Sequence, residues 1–111
     1  MESILNEIKK MLGIEAEYKH FDVDIIVHIN AALMTLHQLG VGPEEPALIT
    51  SELDTWHNVL GDIRLIQAVK TYIYLKVRLV FDPPSSSFVL DALKRQADEL
   101  EWRLNVQVEN R

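Results

Sequence analysis

The chain has 111 residues, with 17 acidic and 11 basic side chains for a formal net charge of −6, and no cysteine. That length bounds it to one domain with a small core, the lack of cysteine excludes disulfides and thiolate chemistry, and net acidity argues against non-specific capture of nucleic acid. The opening residues show no basic patch followed by an apolar run, so no signal peptide is expected, and no apolar stretch reaches the roughly 18 residues of a membrane span.

Ser3 predicts an N-cap for a first short helix through Leu12, with Ile4, Leu5, Ile8, Met11 and Leu12 on one side and Gly13 as its stop. Residues 14–21 read as a link. A second helix starts at Asp22 or Asp24, carries the stripe Ile25, Ile26, Ile29, Leu33, Leu36 and Leu39, and ends at Gly40. Between Ile25 and Leu39 it has no Lys, Arg, Asp or Glu, so most of its surface is expected to be covered.

Gly40 to Pro46 is a turn-rich loop. Residues 47–60 lack a clean period and predict a loop with one short helix near Ser51 to Leu60, anchored by Trp56. A long helix follows from an Asp62 N-cap to Phe81. Its apolar positions Ile66, Val69, Ile73, Val77 and Val80 are widened by Leu65, Tyr72, Leu75 and Leu79. Arg64, Gln67, Thr71 and Arg78 leave one narrow polar strip. A helix apolar on most sides is buried on most sides.

Pro83 and Pro84 end that helix, and Ser85, Ser86 or Ser87 caps the next. In this last helix Leu90, Leu93, Ala97, Leu100 and Leu104 alternate at spacings of three and four, a narrow core seam. Asp91–Arg95, Lys94–Asp98, Arg95–Glu99 and Glu99–Arg103 are opposite charges four apart on its solvated face. Residues 105–111 break the helical period and read as a tail that is flexible or ordered by a partner. The whole is all-α: a single domain over 1–111, a small bundle of three main helices and one or two short ones, with a long C-terminal helical hairpin.

Nothing converges as chemistry requires. Asp24 and His28 share a helical face at a spacing that can hold a metal, but no HExxH or paired-cysteine pattern supports it, and His20, His28, His37 and His57 read as ordinary surface or interface histidines. The three serines lack a G-x-S-x-G elbow and are explained by capping. Gly40 and Gly42 precede a proline and two glutamates, which repel phosphate. Arg64, Lys70, Lys76 and Arg78 are too sparse for a nucleic-acid face. No catalytic, metal or cofactor-binding residue is assigned, and no cofactor.

Several phrases together resemble one family. They are Ile8-Lys9-Lys10-Met11-Leu12-Gly13-Ile14, Phe21-Asp22-x-Asp24-Ile25-Ile26, Leu39-Gly40-Val41-Gly42-Pro43, the run Ala68 to Arg78 followed by Phe81-Asp82-Pro83-Pro84, and Glu99-Leu100-Glu101-Trp102-Arg103-Leu104. Their order and spacing resemble the small head–tail connector (adaptor or head-completion) proteins of tailed double-stranded DNA phages and prophages of Gram-positive bacteria, from Ile4 to Leu104. The segment 47–55 carries little of the likeness.

The resemblance implies a non-enzymatic virion protein at the head–tail interface, present in the host cytoplasm during assembly. It implies a homo-oligomeric ring, dodecameric on the portal protein, which lengthens the DNA channel and receives a stopper or tail-completion protein. Duplex DNA would pass without sequence-specific binding, and no membrane is involved. On this footing Trp102, Asn105, Val106, Val108 and Arg111 are the candidates for portal docking, and Arg64, Gln67, Thr71 and Arg78 for subunit contacts or the channel wall. The residues alone also permit a small helical adaptor or regulator acting as a monomer or dimer, or a DNA-binding helical domain. An enzyme lacks any convergent constellation.

Overall fold

Local signals in the sequence set most of the helix ends in the computed structural model, which describes residues 3–109. Helix α1 spans Ile4–Met11; the Ser3 hydroxyl accepts the Asn6 N–H at 3.2 Å. Gly13, at φ +83°, turns the chain so that Ile14 N–H donates to Lys9 C=O at 2.8 Å. Helix α2 spans Asp22–Gln38 and ends in the same way: Gly40 lies at φ +85°, and Val41 N–H donates to Leu36 C=O at 2.9 Å.

The loop after α2 is fastened by one side chain. Asn30 accepts the Ile49 N–H at 2.8 Å and donates to the Ile49 C=O at 3.0 Å, so a segment without helix still has its backbone satisfied while Ile49 is buried. Helix α3 spans Trp56–Leu60, capped by Thr55, whose hydroxyl accepts the Asn58 N–H at 3.2 Å. The predicted short helix anchored by Trp56 is therefore present, with Trp56 buried. Its entry is tied to the start of α1: Ser3 and Thr55 form an isolated bridge, and Ile4 N–H donates to Asp54 C=O at 3.0 Å.

Helix α4 spans Ile66–Phe81, three residues shorter at its start than the Asp62 cap predicts. Gly61, at φ +70°, opens a turn that brings Ile63 against the core, and the Asp62 carboxylate instead faces His57 Nδ1 at 3.1 Å. Helix α5 spans Ser87–Glu109. Ser86 caps it, accepting the Val89 N–H at 3.4 Å, and of the four predicted ion pairs Glu99–Arg103 closes at 2.6 Å. The expected break after Leu104 does not occur: α5 continues through residues 105–109.

The central helix is α4, packed against α2 on one side and α5 on the other, with α1 resting on α2 and α4. Phe21, just before α2, meets Phe81 at the end of α4 edge to face at 5.3 Å. Helices α2 and α4 are thus antiparallel, as are α4 and α5, so α2 and α5 run parallel. The result is a slab 39 × 35 × 18 Å. Its core joins Ile4, Ile8, Ile25, Ile29, Leu36, Val69, Tyr72, Ile73, Val77 and Leu104. The all-α class, the three main helices and the C-terminal hairpin are as the sequence predicts.

Two polar anchors hold the slab. Lys9 is fully buried, donating to Ala16 C=O at 3.1 Å and Tyr18 C=O at 2.7 Å, with Asp22 Oδ1 at 2.8 Å. Tyr72, buried in the middle of α4, donates to the Glu101 carboxylate of α5 at 2.7 Å, and burial with that neighbouring charge pushes its phenol well above the usual tyrosine range.

Candidate functional site

The polar strip predicted along α4 divides into three. Arg64 lies outside the helix, exposed in the turn before it, at the mouth of a groove of about 200 Å³ that also meets Val41, Leu65, Leu104 and Val108. Gln67 and Thr71 stay together one turn apart and line a second groove, of about 310 Å³, with Gln96, Glu99 and Arg103 of α5. Arg78 is turned to its own helix end. Its Nε donates to Asp82 C=O at 2.7 Å and its Nη1 to the Tyr74 hydroxyl at 3.2 Å, which satisfies a carbonyl beyond the last turn where a cation is favoured.

The candidate docking residues of the chain end also part company. Trp102 is 65% exposed on the back of α5. Asn105 and Val106 are half-buried on the following turn. Val108 faces inward over Gly40; a methyl group added at Gly40 would stand 2.9 Å from Val108 Cγ1. This contact keeps the end of α5 helical, because it covers apolar surface left by the turn after α2. Arg111 lies outside the described residues.

The largest departure from expectation is on α2. Its uncharged surface is covered on one side only. Ile25, Ile29, Ala32, Leu33 and Leu36 are buried, while Val23 (76%), Val27 (58%) and Met34 (37%) are exposed together with Ala31. At about 100° per residue these four lie directly opposite the buried stripe. The back of a surface helix ordinarily carries charge; here it carries two valines, an alanine, a methionine and, in the last turn, the uncharged Gln38.

Helix α5 shows the same inversion in part. Phe88 is 77% exposed, and it and Trp102 share the face opposite Ala97 and Leu104. Val80, which continues the apolar stripe of α4, and Val89 are exposed around Phe88 at the tip of the hairpin. Sequence periodicity registers the absence of charge on α2 but not that its back lies bare. Phe88 looks like the first apolar residue of a helix until the turn places it outward.

Among the described residues no group of three or more His, Cys, Asp or Glu side chains is placed to hold a metal ion, and no helix is long and apolar enough to cross a membrane. What the fold presents is surface, including the two shallow grooves beside α4 and the exposed apolar residues of α2 and α5. In comparison with known protein families, residues 4–111 match the model of the phage connector protein family. No curated protein and no solved structure matches the chain.

Proposed function

The chain belongs to the phage connector protein family, and from that premise we propose that it is a structural virion protein forming a homo-oligomeric ring between the portal and the stopper or tail-completion protein. The ring would lengthen the DNA channel without reading the sequence that passes. The family match from residue 4 to the chain end carries this reading, since it takes in every helix of the slab. The uncharged, exposed back of α2 and the exposed Phe88 and Trp102 rings of α5 support it, because a small monomer has little use for such surface, whereas a ring needs two different faces on each copy.

Within this reading the last turns of α5 dock on the portal. Trp102, Asn105 and Val106 present the contact, Val108 holds the helix end against Gly40, and Arg111 follows at the chain end. Trp102 has the size and amphipathic ring of an interface anchor. Arg64, Gln67, Thr71 and Arg78 remain the candidates for subunit contact or channel wall. A wall lined by Gln67 and Thr71 offers duplex phosphates neutral hydrogen-bonding groups and little net attraction, which suits passage rather than retention.

The reading is tested by the solution mass of the protein, by light scattering across a concentration range, alone and with the portal protein of the same phage. A discrete ring, free or on the portal, is the expected result. A monomer or simple dimer that ignores the portal at every concentration would leave the adaptor or regulator reading in its place.

A further inference from the structure

We infer that the outward face of α5 is a two-fold contact between copies of this chain: two α5 helices pack antiparallel, with the axis at the level of Ala97. The contact goes beyond the ring reading, because it joins two copies away from the portal and uses the same surface of each.

This face carries a second seam. Phe88, Ala92, Arg95, Glu99, Trp102 and Val106 follow one another at alternating steps of four and three, so they stay within about 40° of the line opposite Ala97 over about 27 Å of helix. A seam of that period is what one helix offers another. Phe88, Arg95, Glu99 and Trp102 are exposed, and Ala92 and Val106 are half-buried. Helix α5 packs inward on α4 at the edge of the slab, which leaves this face outermost.

The order of residues along the seam fits a second copy. Reversed about the level of Ala97, the seam meets itself: Phe88 falls opposite Val106, Ala92 opposite Trp102 and Arg95 opposite Glu99. Each large ring faces a smaller side chain and each cation an anion, twice over, as an isologous contact requires. Parallel α5 helices in register would instead set Arg95 against Arg95 and Trp102 against Trp102. Within one copy Glu99 Oε1 is held by Arg103 at 2.6 Å, whereas Arg95 closes no ion pair among the described residues, although Asp91 and Glu99 each lie four residues away. Its guanidinium is left for Glu99 of the second copy. The flanking acids also find places. Asp98 lies one residue from the level of the second copy's Arg95. Asp91 lies one residue from the level of the second copy's Trp102, on the same flank, where it accepts the indole N–H. Glu109 falls at the amino end of the second α5, where an anion is favoured. Lys94 turns off the seam. Because Trp102 is also the anchor of the proposed portal contact, such a dimer hides the docking face until the portal displaces one copy; this consequence alone rests on the ring reading.

Charge reversal tests the register. Arg95→Glu and Glu99→Arg are made singly and together in one chain, and the solution mass of each protein is followed by light scattering across a concentration range without the portal. The wild type is expected to pass from monomer to dimer. Each single reversal sets like charges opposite one another and should lower the association constant about tenfold or more. Mixing the two single variants should give a mixed dimer, and the double variant should recover at least part of the lost association. Both positions are exposed, so circular dichroism should show the same helix content in all four proteins; a variant that loses helix is replaced by Arg95→Gln or Glu99→Gln, which removes the attraction without adding repulsion. A wild type that stays monomeric at every concentration overturns the proposal. So does a dimer or larger assembly that both reversals leave unchanged, or one that neither the mixture nor the double variant recovers. Each of these outcomes leaves the ring reading intact, because that reading stands or falls with the portal protein present. Portal protein titrated into the wild-type dimer should split it, and a portal complex that keeps the dimer whole would overturn the shared use of Trp102.

Discussion

Lys9 Nζ stands 2.8 Å from Asp22 Oδ1, with the lysine side chain wholly buried and the aspartate 18% exposed. The same ammonium group donates to the carbonyls of Ala16 and Tyr18, so one cation closes the whole loop between α1 and α2. Lys9→Met is expected to destabilise the fold by about 3 kcal/mol or more, since it strands two carbonyls and a partly buried carboxylate. Asp22→Asn is expected to cost less, because water reaches that side chain. Urea unfolding of both single variants and the double variant measures the coupling, and additive losses would mean that the pair acts independently.

Gly40 and Gly13 offer a matched comparison for the end of α5. Both lie at positive φ, +85° and +83°, so alanine at either meets the left-handed penalty of roughly 1–2 kcal/mol. Only Gly40 has a neighbour in the way: its added methyl group meets Val108 at 2.9 Å, whereas nothing lies within 4 Å of Gly13. Gly40→Ala should therefore cost more than Gly13→Ala and speed amide exchange in residues 105–109. Adding Val108→Ala to Gly40→Ala should recover part of the difference; equal losses at the two glycines would show that Val108 is not held there.

How much of this was legible before the fold is seen depends on the range of the interaction that decides each feature. Ser3, Gly13, Gly40 and the serines after Pro84 act within a turn, and helix ends read from them hold. Asp62 looks like a cap by the same local logic, yet the chain uses residues 61–65 to bring Ile63 into the core, a decision made by tertiary packing. The Val106–Val108 alternation reads as the end of a helix because its partner, Gly40, is nearly seventy residues away in sequence. The burial of Lys9 is invisible for a related reason: two of its partners are backbone carbonyls, which no side-chain pattern announces. The candidate surfaces are least legible of all, since a bare helix back is defined by the absence of a neighbour.

Asp54 gives the fold an acid-sensitive corner. Its carboxylate accepts the Thr50 N–H at 2.7 Å and the Ser51 N–H at 3.1 Å, and these backbone donors hold it below the usual carboxylate range. A carboxylate whose folded value is depressed adds stability that is fully present above the unfolded value of about 3.9 and is lost as pH falls through the folded one. Asp54→Asn should therefore lower stability at pH 7 and shrink the difference between pH 7 and pH 3. Urea midpoints at the two pH values check both signs; an unchanged acid limb would show that the turn at 50–54 contributes nothing to it.

The Tyr72–Glu101 bond joins the central helix to the hairpin and titrates in the opposite sense. With the phenol pushed up, the stability it contributes is complete below the unfolded value of about 10 and is lost as pH rises beyond it. Tyr72→Phe keeps the ring in the core and removes only the donor, so a loss of about 1–2 kcal/mol at pH 7 is expected. Its alkaline unfolding should begin later relative to neutral pH than that of the wild type. Thermal scans between pH 7 and pH 11 read the difference.

Trp102 separates docking from folding better than any truncation of the chain end. Removing the residues after Leu104 would strip Val108 from Gly40 and uncover the adjacent groove, so weakened portal binding by such a fragment would be ambiguous. Trp102 is 65% exposed and sits opposite the buried face of α5, so Trp102→Ala should change stability by no more than about 0.5 kcal/mol. If the last turns of α5 dock on the portal, the same substitution should weaken that binding about tenfold or more, the usual consequence of truncating an aromatic anchor. Binding titrations against the portal protein, alongside urea unfolding of the same preparation, supply both numbers. Unchanged affinity in a normally folded variant would move the docking surface off the back of α5 and toward the groove that Arg64 shares with Val108.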